Sequence, residues 1–127
     1  MQYLIVAFGG ALGAMARFGV SRIVTAVLPI GFPWGTLTVN VLGSFLAGIT
    51  FGVILQRADV LSEELKLFVM IGFLGAFTTF STFSLEVVEL LQHGMWLKGL
   101  LSILSNVFVC VLLAWLGIFL MQNNARF

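Results

Sequence analysis

The chain has 127 residues, 61% of them hydrophobic and 9% charged, with a formal net charge of +1 and a mean hydropathy of +1.16. A soluble domain is about 45 to 50% apolar and about 25% charged, so a water-soluble fold is excluded, and residues 1–127 read as one all-α integral membrane domain. Nucleic-acid binding is excluded as well, because it needs a clustered basic face that this charge balance does not supply.

Met1-Gln2-Tyr3 lacks the basic start of a secretory signal, so the first apolar run is expected to be retained as a helix. The lone Cys110 offers no intrachain disulfide and too few ligands for a thiolate metal site. One histidine and no carboxylate pair leave little acid–base machinery, so an enzyme is not expected.

A bilayer-spanning helix needs about 20 predominantly apolar residues. Four segments qualify: Tyr3 to Leu28, Thr36 to Leu55, Lys66 to Leu91, and Lys98 to Met121. Pro29 and Pro33 bracket the first connection. The polar run from Gln56 to Glu64 forms the second, with Ser62 as the expected N-cap. His93-Gly94 marks the third.

The first segment carries Gly9, Gly10 and Gly13, a face that permits close helix approach. It also carries Arg17, read as a structural or snorkelling arginine toward the second half of a long helix. In the second segment Asn40, Ser44, Gly48 and Gly52 recur every four residues and so line one stripe. On that pattern alone, Asn40 reads as the donor of an interhelical hydrogen bond.

The third segment differs from the others. Gly72-Phe-Leu-Gly-Ala-Phe-Thr-Thr-Phe-Ser-Thr-Phe-Ser84 holds five hydroxyls and four phenylalanines inside an apolar run. Glycines weaken a helix, and Ser and Thr side chains compete for its backbone hydrogen bonds. Two half-helices are therefore expected, roughly Lys66 to Ala76 and Ser81 to Gln92, with the break at mid-membrane. Such breaks present carbonyls and helix-end dipoles to ions. Phe77, Phe80 and Phe83 recur every third residue, which is expected to bring their rings together on one face of the second half-helix. The positive ring edges of such a face suit an anion, with Ser81, Thr82 and Ser84 as neighbouring hydroxyls. Glu86 follows on the same half-helix and is expected to pair with an arginine or to accept from a neighbouring helix.

On the last segment Ser102, Asn106 and Cys110 repeat at four-residue spacing and form a second polar stripe. Two polar stripes and a broken helix point to an ion path. With four spans, Arg57, Lys66 and Arg126 lie on one side and Arg22 and Lys98 on the other. So weak a bias permits insertion in both orientations and, with it, an antiparallel dimer whose broken segments meet around a two-fold axis in the membrane plane.

These residues resemble the Fluc, or CrcB, family of small fluoride channels. The similarity runs from Gly9-Gly-Ala-Leu-Gly-Ala-Met-Ala-Arg17 through Trp34-Gly-Thr-Leu-Thr-Val-Asn40 to Gly72–Glu86, with Gly75-Ala76 where the family commonly has Gly-Gly. The resemblance implies a dual-topology, antiparallel homodimer in a bacterial inner or plasma membrane. It implies two fluoride pores along the subunit interface and a structural sodium ion held at the centre by the backbone carbonyls of Gly75 and Thr78. It further implies that Phe80 and Phe83 turn ring edges to fluoride and that Asn40 donates from the second helix. Ser102, Asn106 and Cys110 would form a polar track, with Ser81, Thr82 and Ser84 as weaker contacts and Arg17 and Glu86 as structural polar residues. The implied activity is passive fluoride efflux. The alternative is a proton-coupled exporter of the four-helix dual-topology type, which needs a membrane-embedded carboxylate, a role that only Glu86 approaches.

Overall fold

The computed structural model describes residues 1–57 and 59–124, and within them every regular element is helical. Arg126, counted above in the charge balance, lies outside these residues. Four helical spans are long and apolar enough to cross a bilayer: Gln2–Val27, Trp34–Gln56, Glu63–Gln92 and Trp96–Asn124. The chain is a multi-pass membrane protein.

We label Gln2–Val27 α1 and Trp34–Gln56 α2. The third span divides into α3 (63–77) and α4 (Phe80–Gln92), and Trp96–Asn124 is α5. The division at residues 78–79 falls inside the expected gap, each flanking helix end lying one residue from its expected bound. The 13 residues of α4 span about 20 Å, and α3 is of similar length, so neither half crosses a hydrocarbon core of about 30 Å alone.

The ends of the elements follow from local chemistry. At the start of α3, Ser62 Oγ accepts the Leu65 N–H at 3.2 Å, and Glu63 and Glu64 occupy the first turn. The α4–α5 connection closes with the Gly94 N–H on the Leu91 carbonyl at 3.0 Å and the Met95 N–H on the Leu90 carbonyl at 2.9 Å. This paired closure needs a left-handed residue, which Gly94 supplies with φ +73.

The bundle is held by two small-residue seams. Between α1 and α3, a Cβ on Gly13 would overlap the Phe73 carbonyl, and one on Gly72 would stand 3.0 Å from Gly9 Cα. Between α2 and α5, a Cβ on Gly117 would stand 2.6 Å from the Phe45 carbonyl oxygen, and one on Gly48 would overlap Ala114. Hydrophobicity does not drive helices together in lipid, so such close backbone approach carries the association. Two stretches are wound as wider π-helix: Leu67–Leu74 in α3 and Ser105–Val109 in α5. Hydropathy holds no signal for them, and both adjoin the site described next.

Candidate functional site

The break between α3 and α4 occupies two residues. Thr78 (φ −83, ψ 157) and Thr79 (φ −150, ψ 114) are extended, and the helix resumes at Phe80. Thr79 caps the new helix, its Oγ1 accepting the Thr82 N–H at 3.2 Å. Its own main chain pairs with a side chain from α2: the Thr79 N–H donates to Asn40 Oδ1 at 2.8 Å, and Asn40 Nδ2 donates to the Thr79 carbonyl at 3.1 Å. One carboxamide thus serves both polar groups of an extended residue, as a neighbouring strand would.

This pairing has a consequence for the carbonyls of α3. In a continuous helix the Gly75 oxygen would accept from the Thr79 N–H, and the Thr78 oxygen from the Thr82 N–H. Both donors are directed elsewhere, to Asn40 Oδ1 and to Thr79 Oγ1. The two carbonyls named from the family pattern are therefore released from their helical partners at mid-span. Carbonyl oxygen is the ligand chemistry that hard cations take. Among the described residues no His, Cys, Asp and Glu side chains gather into a group able to hold a metal. A sodium ion, which the resemblance implies, would draw on these backbone oxygens.

An open groove of about 490 Å³ runs beside the break. It brings together most of the expected residues: Asn40, Gly75, Thr78, Phe80, Phe83, Asn106 and Cys110 all line it. Ser44, on the same stripe as Asn40, joins them. Ser81, Thr82, Ser84 and Ser102 are not part of this lining. The Phe80 and Phe83 rings meet edge to face, with centroids 5.4 Å apart and planes at 61°. Phe80 is 77% exposed and Phe83 buried, so one ring projects from the bundle and the other anchors it.

The expectation for Phe77 is corrected. It lies before the break, is buried, and stacks on Phe73 at 5.8 Å with planes 10° apart. A period of three counted across two extended residues does not describe one helical face.

Asn40 Nδ2 also donates to Asn106 Oδ1 at 2.9 Å, and Asn106 Nδ2 donates to the Ser102 carbonyl at 3.0 Å. Ser102 is fully buried, and its hydroxyl has no partner among the described residues. The remaining hydroxyls are partly engaged locally. Thr78 Oγ1 donates to the Leu74 carbonyl and Ser84 Oγ to the Phe80 carbonyl, at 3.0 and 2.9 Å. Thr79 Oγ1 donates to Thr82 Oγ1 at 3.0 Å and lies 3.5 Å from Ser81 Oγ.

Glu86 accepts from Thr36 Oγ1 of α2 at 2.8 Å, while its second oxygen is buried without a partner among the described residues. Of the two partners expected for Glu86, the neighbouring helix supplies the one observed. Arg17 is half-buried on α1, apart from the groove, and Arg22 places its guanidinium 5.8 Å from the centre of the Phe18 ring. Sequence reasoning passed over Gly43. A Cβ there would overlap the Thr78 methyl group, so its smallness is what lets α2 approach the break.

The family described as CrcB-like protein, Camphor Resistance (CrcB), matches residues 4–118. The chain is 55% identical over 118 residues to a protein of Magnetococcus marinus, covering 93% of this chain and 95% of that one. It is 48% identical over 121 residues to a protein of Pseudoalteromonas translucida, covering 94% and 99%. A Thermus thermophilus protein is 49% identical over 116 residues, covering 91% of each. All three are named fluoride-specific ion channel FluC, the name of an ion channel and not of an enzyme.

Proposed function

Because this chain belongs to the CrcB-like family, we propose that it is a fluoride-selective channel that releases cytoplasmic fluoride passively through pores at an antiparallel homodimer interface. The observation that carries the reading is the groove, which gathers released carbonyls, an aromatic pair and an amide at mid-membrane on an open face of the bundle. Backbone polar groups cannot face hydrocarbon, where each unsatisfied one costs several kcal/mol. Another protein surface must cover that face, and a second, inverted copy covers it with the same chemistry.

The break separates two kinds of charge preference. The C-terminal end of α3 offers carbonyl oxygens, and the N-terminal end of α4 carries the positive pole of its helix dipole. We assign the Gly75 and Thr78 carbonyls, from both copies, to a structural sodium ion. Bound there, it supplies a fixed positive charge near the path of an anion. Phe80 and Phe83 present ring edges, and the groove side of α5 presents Asn106 and Cys110. Such groups each attract fluoride weakly, so an ion can shed water without becoming trapped. The choice of fluoride rests on the relatives' names; the groove supports an anion path. The exporter alternative needs a carboxylate on the path, whereas Glu86 lies outside the groove lining and accepts from Thr36.

The test is ion release from proteoliposomes loaded with fluoride or chloride. Fluoride is expected to leave rapidly without a proton gradient while chloride stays. Equal chloride release, or a requirement for a proton gradient, overturns the proposal.

A further inference from the structure

We propose that Gly43 is a positioning residue for the cation site: the space left by its missing side chain receives the Thr78 methyl group, and that fit sets where the Thr78 carbonyl points. The inference rests on the channel reading above and deepens it.

Thr78 is tied to its own helix by two bonds to one oxygen. The Leu74 carbonyl accepts the Thr78 N–H at 3.1 Å and Thr78 Oγ1 at 3.0 Å. Threonine is stiff at its first side-chain torsion and its Cβ is chiral, so placing Oγ1 also places the methyl group. That methyl lies where a Cβ on Gly43 would stand. The Phe77 ring closes the same space, its Cδ1 3.1 Å from that Cβ position. Phe77 is itself buried and stacked on Phe73, so the seat for the methyl has a firm wall on either side.

A methyl group added at Gly43 has no free space to enter. Either Thr78 turns and gives up the Leu74 carbonyl, or α2 draws back from the break. Thr78 is extended (φ −83, ψ 157), and its carbonyl has lost its helical partner, so its direction depends on how the residue is seated against α2. Carbonyl ligands serve a hard cation only when they are held to within about 0.5 Å of the right place. In a two-fold assembly the same displacement enters from each copy. Gly43, Gly75 and Thr78 line one groove. The glycines further along α2 differ: Gly48 meets Ala114 and Gly52 meets Met121, both on α5 and away from the released carbonyls.

The experiment uses the full-length protein in lipid nanodiscs, freed of sodium and then titrated with sodium chloride while the melting temperature is read. Gly43→Ala is expected to need at least about tenfold more sodium for half of the full stabilisation. The double variant Gly43→Ala, Thr78→Ser moves the methyl from one helix to the other and keeps the hydroxyl, so its sodium requirement is expected to return to within about threefold of the wild type. Gly52→Ala, which crowds Met121 away from the break, is expected to lower the melting temperature in sodium-free buffer and to leave the sodium requirement within about threefold. An unchanged requirement in Gly43→Ala, or a double variant no better than the single one, overturns the proposal. So does an equal rise in Gly52→Ala, which would make the effect one of general stability. If Gly43→Ala does not fold, the double variant decides: a folded protein with the wild-type sodium requirement supports the fit, and an unfolded one overturns it. A wild type that binds sodium and releases no fluoride sinks the channel reading and leaves the Gly43 test standing, whereas a wild type indifferent to sodium overturns the proposal itself.

Discussion

Helices α2 and α5 meet twice, and the two meetings use opposite chemistry. Toward one end, Gly48 presses on Ala114 and Gly117 on Phe45, with no room for a Cβ. Toward the other, Asn40 and Asn106 reach across with amides. The glycine contact fixes a distance and is indifferent to direction. The amide contact fixes a direction, and through Thr79 it fixes where the third span breaks. One four-residue stripe on α2, from Asn40 through Ser44 and Gly48 to Gly52, supplies both. In a bilayer, where apolar burial does not bring helices together, a seam of this kind can hold the fold while its neighbour shapes the site.

The largest effect should come from breaking the seam. Gly48→Leu places a side chain where Ala114 backbone already lies. Overpacking typically costs about 1 to 3 kcal/mol, and a clash with backbone leaves little room for relief. The variant is expected to lose its single peak in gel filtration in detergent. A monodisperse Gly48→Leu protein with wild-type melting temperature would show that the contact is not close.

Phe80→Ile should separate site from fold. The ring is 77% exposed within one chain, so its replacement removes little packing from the bundle itself. The expected result is a normal melting temperature with fluoride efflux lowered at least about tenfold, the equivalent of about 1.4 kcal/mol in the barrier. Normal flux would remove the Phe80–Phe83 pair from the ion path.

The contrast also explains what the sequence could disclose. Spans, connections and the Ser62 cap are local: each depends on residues within a turn or within one apolar run, and the observed bounds fall within a few residues of those expected. The break was legible from Gly72, Gly75 and the paired threonines. Its partner was not, because Asn40 lies 39 positions from Thr79 and 66 from Asn106. A four-residue stripe says that Asn40 faces a helix, not which one. The simpler reading of Asn40, as an interhelical hydrogen-bond donor, is the one its observed contacts match. Phe77 was misplaced by extending a helical period through extended residues, and the π-helical turns leave no hydropathy trace.

A smaller effect is expected at Cys110, which lines the groove beside Asn106. A thiol is a weak donor and a hydroxyl a stronger one. Cys110→Ser should retain or modestly raise fluoride efflux, by no more than about fivefold, because one neutral hydrogen bond is typically worth about 1 kcal/mol in such a setting. A loss of tenfold or more would mean that Cys110 contributes packing or shape that an isosteric hydroxyl cannot replace.

The smallest effect should be at Ser84, and its size tests how finely the groove can be read. Ser84 Oγ donates to the Phe80 carbonyl, four residues earlier on its own helix, at 2.9 Å. Its hydrogen is committed, and the side chain is not among those lining the groove. Thr82, by contrast, accepts from Thr79 Oγ1 at 3.0 Å and keeps its own hydroxyl hydrogen available. Ser84→Ala should therefore change efflux less than about twofold, and Thr82→Val should change it more, since it removes both an acceptor of the cap and a spare donor. The reverse order would mean that the Ser84 hydroxyl leaves its backbone partner and reaches the ion path.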